Sequence, residues 1–88
     1  MKLKGEFVLR EIMDETIAIP VGNAALNFNG MICLNDVGKI IFAGLQVNRA
    51  EEAILSEILE TFDVSREEAL RDLESFLSRL VECGLLEI

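Results

Sequence analysis

A chain of 88 residues, of which 51% are hydrophobic, is long enough for one modest core and too short for a second lobe, so a single domain over residues 1–88 is expected. Sixteen acidic residues against eight basic ones give a net charge of -8, and such a surface repels nucleic-acid phosphates. Apolar runs fall far short of the roughly 20 residues of a membrane span, and the first residues contain no signal-peptide core, so the sequence predicts a cytoplasmic protein without a membrane segment.

Residues 6–34 have the alternation of short β-strands. Phe7–Leu9 and Thr16–Val21 are the first two candidates, and Asp14-Glu15 between them predicts a tight turn. Pro20 lacks an N–H group and therefore indicates a sheet edge or a strand end.

A second turn signal follows in the same part of the chain. Asn29-Gly30 lies between Leu26–Phe28 and Met31–Leu34, and Asn-Gly is the strongest short hairpin signal because both positions tolerate positive φ. The sequence therefore predicts three or four strands.

From residue 35 onward the hydrophobic spacing becomes helical, which predicts helices at 35–46, 49–62 and 65–83. Each helix has a candidate N-terminal cap: Asn35 or Asp36, then Asn48 with Glu51, then Ser65 with Glu68. The predicted core faces of the three helices are Val37, Ile40, Ile41 and Leu45; Leu55, Ile58, Leu59 and Phe62; and Ala69, Leu73, Phe76, Leu77 and Leu80, the last stripe running on to Cys83.

The third helix also has a stop signal. Gly84 can adopt the left-handed conformation that ends a helix, and Leu85 after it can contact Leu80 as in a Schellman motif. Leu86 and Ile88 then return to the core. The predicted fold is α+β, of winged-helix type, with short strands followed by three helices.

Residues that carry chemistry are scarce. Histidine is absent, and Cys33 and Cys83 are interpreted as small buried hydrophobes. The paired acids Glu51-Glu52 and Glu67-Glu68 each lie in the first turn of a helix, where negative charge stabilises the helix dipole. The glycines form no phosphate-binding loop. We expect no enzyme activity, no metal and no cofactor.

Two features remain that could bind a partner. A small sheet that leads into helices leaves a free edge, for which Met31–Leu34 is the candidate, and an extended peptide can pair with such an edge. The outer row of the third helix, Asp72, Ser75 and Arg79, is polar. Composition alone favours an ordinary core strand and an ordinary solvated helix face over a binding groove.

A resemblance favours the binding interpretation. Leu34-Asn35-Asp36-Val37-Gly38-Lys39-Ile40-Ile41-Phe42, the later run Asp72 to Leu80, and Cys83-Gly84-Leu85-Leu86 together resemble the PqqD family over nearly the whole chain. This sequence departs from the family in having Phe42 where tryptophan is frequent and a longer segment at 21–29.

The resemblance implies a recognition element for ribosomally made, post-translationally modified peptides. It implies that the leader of a precursor peptide adds as a strand to the sheet, and that this peptide-binding protein or chaperone delivers it to a radical S-adenosylmethionine enzyme. The implied binding residues are Met31, Ile32, Cys33 and Leu34 on the strand and Asp72, Ser75, Phe76 and Arg79 on the third helix.

Two alternatives stay open. A winged-helix DNA-binding regulator needs a basic recognition helix, whereas residues 65–83 contain five acids and three arginines. A structural or dimerisation domain without a peptide ligand would pair its free edge with its own copy. The expected state is a monomer or a weak homodimer.

Overall fold

The computed structural model describes residues 2–22 and 30–87, and in this part of the chain a small sheet is followed by helices. The elements, in chain order, are β1 (Lys2–Leu3), β2 (Glu6–Ile12), β3 (Glu15–Val21), β4 (Ile32–Leu34), α1 (Asp36–Gln46), α2 (Glu51–Thr61), α3 (Arg66–Glu82) and β5 (Leu86–Glu87). This is the predicted α+β arrangement of winged-helix type. The predicted strand Leu26–Phe28 lies outside the described residues, as does Asn29 of the predicted Asn29-Gly30 turn.

The β2–β3 hairpin turns one residue earlier than predicted. Its two turn residues are Met13 and Asp14, with φ of 56° and 73°, and Ile12 pairs with Glu15 on either side of them. Two successive positive φ angles are the signature of the type I′ turn, whose twist matches that of the flanking strands. Glu15 belongs to β3 rather than to the turn.

The main sheet has the order β2-β3-β4, and both pairings are antiparallel. Because strand side chains alternate between faces, the fully buried Ala18 of β3 lies on the helix side with its neighbours Leu9 and Ile32. Pro20 lies one residue before the end of β3, beyond the last described pair with β4, which is Ala18 with Ile32.

α3 begins and ends as its sequence signals predict. The Ser65 hydroxyl oxygen accepts a hydrogen bond from the Glu68 N–H at 3.1 Å, as in a capping box. At the other end Gly84 has φ of 76°, and the Leu85 N–H donates to the Leu80 carbonyl at 2.8 Å. The Gly84 N–H donates to the Val81 carbonyl, which completes the Schellman motif.

The predicted cap of α2 is wrong. Asn48 has φ of 57° and donates its N–H to the Leu45 carbonyl, so it closes the end of α1. Asparagine tolerates this left-handed conformation better than most residues, which explains why Asn48 can end α1. The N-cap of α2 is Ala50, whose side chain makes no capping hydrogen bond, and Glu51 supplies negative charge in the first turn.

The helices cover the inner face of the sheet with one continuous core. All of the predicted α3 stripe from Ala69 to Leu80 is buried, whereas Cys83 is exposed. α1 contributes the fully buried Phe42, whose ring meets Phe7 of β2 edge-to-face at 5.3 Å between centroids. α2 contributes Ile54, which the predicted stripe omitted and which is also fully buried.

Gly44 of α1 lets α2 approach closely. A Cβ atom at this position would lie 2.8 Å from Cγ1 of Ile54, closer than carbon atoms can pack. The crossing of α1 and α2 therefore depends on the missing side chain at Gly44.

The first and last described strands pair with each other, which the sequence analysis did not predict. Lys2 lies opposite Glu87 and Leu3 opposite Leu86 in an antiparallel ladder. The Lys4 N–H also donates to the Leu85 carbonyl at 2.8 Å. This pairing holds the buried Leu86 against the core.

One exposed ion pair joins the sheet to α1. Lys39 Nζ lies 2.7 Å from Glu11 Oε1. The hydrogen bond from Lys39 and its charge lower the pKa of Glu11, and the same contact raises the pKa of Lys39. Exposed pairs of this kind contribute little to stability.

Among the helices of the described part, none is both long and apolar enough to cross a membrane.

Leu73 is the test residue for the core because it is fully buried in the middle of α3. We expect Leu73→Ala to lower the free energy of unfolding by about 2 to 5 kcal/mol, since it removes transfer energy and leaves a cavity. The adjacent exposed Asp72→Ala should change it by about 0.5 kcal/mol or less. Urea unfolding curves of both variants measure the difference, and similar losses would contradict this assignment of the core.

Candidate functional site

The outer edge of β4 and one face of α3 form the walls of a groove. In the described part of the chain, β4 pairs with β3 on one side only, with Thr16 opposite Leu34. Ile32 and Leu34 face the helices, and Cys33, between them, faces away. Within residues 2–22 and 30–87, the second edge of β4 therefore presents backbone N–H and C=O groups to which another strand can be added.

A single residue, Asn35, separates β4 from α1. Its backbone is extended, with φ of -81° and ψ of -178°, and its Oδ1 accepts a hydrogen bond from the Gly38 N–H at 2.7 Å. This is an N-cap, which satisfies one of the free donors of the first helical turn. The chain thus passes from the edge strand into α1 without a loop, and the end of the groove at Leu34 is fixed.

Gly38 lets α1 and α3 come together at the groove. A Cβ atom on Gly38 would lie 3.1 Å from Phe76 Cε2 and 3.1 Å from Asn35 Oδ1, tighter than ordinary van der Waals contact. A larger residue would displace either the ring or the capping side chain. The position of Phe76 in the groove therefore depends on glycine at position 38.

The α3 wall combines a buried aromatic ring with exposed polar groups. Ser75 and Phe76 follow Asp72 by three and four residues and precede Arg79 by four and three, so the four side chains share one side of the helix. Phe76 is only 9% exposed, whereas the other three are exposed. The guanidinium carbon of Arg79 lies 5.8 Å from the centroid of the Phe76 ring, within cation–π distance. The ring thus supports a cation beside the strand edge.

Three adjoining cavities follow the groove, and Phe76 and Arg79 line all of them. The first has a volume of about 500 Å³, and its other lining residues are Asp14, Glu15, Thr16, Cys33, Leu34, Asn35 and Asp36. The second, of about 140 Å³, is also lined by Asn35, Val37, Gly38, Ile41, Asp72 and Ser75. The third, of about 200 Å³, is also lined by Ile32, Cys33, Leu80, Cys83 and Leu85. The groove therefore runs from an acidic end to an apolar end.

The opposite edge of the sheet, β2, is a less suitable acceptor. Gln46 Nε2 donates a hydrogen bond to the Phe7 carbonyl oxygen at 2.8 Å, and Lys39 pairs with Glu11. Side chains of α1 therefore already engage β2 at two points. A cavity of about 360 Å³ lies beside this edge, and Phe7 and Gln46 are among its lining residues. No residue of α3 lines it.

The predicted binding residues do not all reach the groove. Those that the structure places around it are Ile32, Cys33, Leu34, Asp72, Ser75, Phe76 and Arg79. Met31 is different: it precedes β4, is 62% exposed and lines none of these cavities.

Sequence reasoning missed several groove residues: Asp14, Glu15, Asn35, Leu80, Cys83 and Leu85. Leu85 follows the Schellman motif, and that signal could have placed it beside the end of α3. Asp14 of the β2–β3 turn and Glu15 at the start of β3 reach the groove because Thr16 pairs with Leu34, and this register has no local sequence signal.

The prediction that both cysteines are buried is wrong, because Cys33 and Cys83 are exposed free thiols. Cys33 alternates with two inward-facing residues and so lies on the outer face of the sheet. Cys83 is the C-cap of α3, where the chain leaves the helix and its apolar stripe ends.

The groups that line the groove are suited to binding a polypeptide segment. In residues 2–22 and 30–87, no group of three or more His, Cys, Asp or Glu side chains is placed to hold a metal ion. What the groove offers is a strand edge, an arginine held over an aromatic ring, and cavities of unlike polarity. Such a set of groups can bind an extended chain by its backbone and by alternate side chains.

Comparisons with known proteins agree with this geometry. The family model for coenzyme PQQ synthesis protein D (PqqD) matches residues 13–86. The chain is also similar to a solved structure of TbiB1 in complex with the TbiA(beta) leader peptide, with a TM-score of 0.75 and 29% sequence identity over 99% of this chain and 95% of that one. No curated protein matches the chain significantly.

The exposed cysteines give a direct test of the register of β4 and of the end of α3. We expect both thiols of the folded protein to react with Ellman's reagent without denaturant, because Cys33 and Cys83 are exposed. Cys33→Ser and Cys83→Ser should each remove one of the two reactive thiols. A thiol that reacts only after urea is added would show that its cysteine is buried, against the structure.

Proposed function

The chain belongs to the PqqD family, and from this we propose that it is a non-catalytic peptide-binding protein that takes up the leader segment of a precursor peptide. The observation that carries the proposal is the outer edge of β4 beside α3, with cavities along it. Support comes from TbiB1, which shares the fold over nearly its whole length and was solved with a leader peptide.

The proposed mechanism is strand addition. The backbone of the leader pairs with the edge of β4, and its alternate side chains enter the cavities between β4 and α3. Backbone pairing fixes the direction of the peptide without reading its sequence, so selectivity comes from Phe76, Arg79 and the cavity walls. Because β4 spans only Ile32–Leu34, the paired length is short and binding is reversible.

The charge of α3 does not suit the alternative of a DNA-binding regulator. A recognition helix in the major groove needs basic residues on its exposed face. Residues 65–83 contain five acids and three arginines, and the whole chain has a net charge of -8. This helix would therefore repel a phosphate backbone.

We further propose that the bound leader is delivered to a separate radical S-adenosylmethionine enzyme in the cytoplasm. A binder without catalytic groups of its own needs an enzyme partner that carries out the modification. The groove holds the leader and leaves the rest of the precursor free to reach that enzyme.

Hydrogen exchange tests the strand addition. Synthetic leaders from short reading frames beside this gene, with the TbiA(beta) leader as a first probe, should slow amide exchange at Ile32–Leu34, since added backbone pairs protect the edge. Exchange in α2, which lines none of the groove cavities, should stay unchanged. A leader that binds and leaves exchange at Ile32–Leu34 unaltered excludes strand addition.

A pair of proline variants supplies the matched control. N–H groups alternate along an antiparallel strand, so Ile32 and Cys33 donate to opposite sides of β4. Ile32→Pro and Cys33→Pro each remove one N–H. The variant that loses the outward N–H should keep most of its stability and lose binding, whereas the other should lose stability by weakening the pairing with β3. Equal effects of the two variants on binding and stability would contradict pairing at this edge.

The delivery step has its own measurement. The proposal predicts a radical S-adenosylmethionine enzyme encoded near this gene, and that enzyme should convert the full precursor faster when this protein is added, because the complex brings leader and enzyme together. Mass spectrometry counts the modified precursor over time. The binding-deficient proline variant should give no acceleration, and equal rates with and without the wild-type protein would refute delivery.

A further inference from the structure

The groove is apolar at one end and acidic at the other, and this polarity determines which side chains of a leader it can accept. This inference rests on the proposed function. β4 runs from Ile32, at the apolar cavity, to Leu34, at the acidic one. Arg79 lines both cavities and therefore stands between the two ends.

The apolar cavity has the size for one side chain. Its volume of about 200 Å³ is below the roughly 300 Å³ at which small-molecule sites begin. Ile32, Leu80 and Leu85 line it, and the two leucines are buried in the core. A bulky aliphatic or aromatic side chain of a paired strand would fill this space and lose its contact with water.

In the described part of the chain, Arg79 contacts the Phe76 ring and has no ion-pair partner. Among the ion pairs of the described residues, which join Lys39 to Glu11, Arg49 to Glu57 and Arg66 to Glu52, none involves Arg79. Its guanidinium lies over the Phe76 ring beside the strand edge. A planar guanidinium in this position can bind a carboxylate through two parallel hydrogen bonds.

The opposite end of the groove has the reverse charge. Asp14, Glu15 and Asp36 line the cavity of about 500 Å³ that adjoins Leu34. A cationic side chain there would lie among carboxylates, whereas an acidic one would be repelled.

We propose that the groove selects a leader with three side chains at alternate positions: a basic residue, then an acidic residue, then a bulky apolar residue, in the N-to-C direction. Side chains on one face of a strand recur every second residue, which matches the succession of acidic cavity, Arg79 and apolar cavity. The proposed direction is that of an antiparallel leader, the orientation of both described strand pairings in the main sheet. An antiparallel leader has its basic residue beyond Leu34, at the level of Asp14 and Asp36, its acidic residue beside Leu34 and its apolar residue beside Ile32, so the three positions extend two residues past β4.

Selection from a displayed peptide library tests this order. Random peptides of about 10 residues, the upper length of an ordinary strand, are displayed and selected on the wild-type protein. We expect enrichment of the pattern basic-x-acidic-x-apolar, and slower exchange at Ile32–Leu34 with the selected peptides bound.

A charge exchange across the groove identifies the contact with Arg79. Arg79→Glu should weaken a selected peptide by at least about tenfold. Changing the acidic residue of that peptide to lysine should restore most of the affinity. Arg71→Glu is the matched control, because Arg71 is exposed on the same helix and lines none of the groove cavities.

The outcomes separate this inference from the proposed function. Selected peptides that protect Ile32–Leu34 and lack the pattern, or show it in reverse order, overturn the inference and leave strand addition standing. Failure of the exchanged charges to restore binding also overturns it. A library that yields no peptide protecting Ile32–Leu34 counts against both.

Discussion

The groove depends on one junction, the single residue between β4 and α1. Asn35 ends the strand and caps the helix through its hydrogen bond to Gly38, so the strand edge and the helix axis have a fixed relation. Gly38, the residue that donates this bond, also leaves room for the ring of Phe76. One short segment thus sets both the end of the edge strand and the depth to which α3 approaches it. A loop at this place would make the width of the groove variable.

Local signals in the sequence were sufficient for much of this fold. Ser65 and Gly84 predicted both ends of α3, and its apolar stripe identified a buried face, because caps and helical periodicity act within a few residues. The prediction that Asn48 caps α2 was wrong, since a residue that can cap a following helix can also close the preceding one. Met13 gave no sign of its positive φ, because a long unbranched side chain is rarely found in that conformation.

Features set by distant parts of the chain were not predictable in the same way. The pairing of β1 with β5 involves strands of two residues each, too short to show any periodicity. The exposure of Cys33 follows from the strand's register with β3, and the acidic side of the groove follows from the same register. The face of α3 that meets β4 was suggested by resemblance, and the residues at its C-terminal end, such as Leu80, became visible as groove residues only in three dimensions.

The pairing of β1 with β5 brings Leu3 and Leu86 together, and Leu85, the residue before β5, lines the apolar cavity. A linker attached at either end of the described chain therefore starts from nearly the same place, because Lys2 lies opposite Glu87. An enzyme tethered there would meet the bound peptide at an effective concentration set by the linker length, whichever terminus carries it.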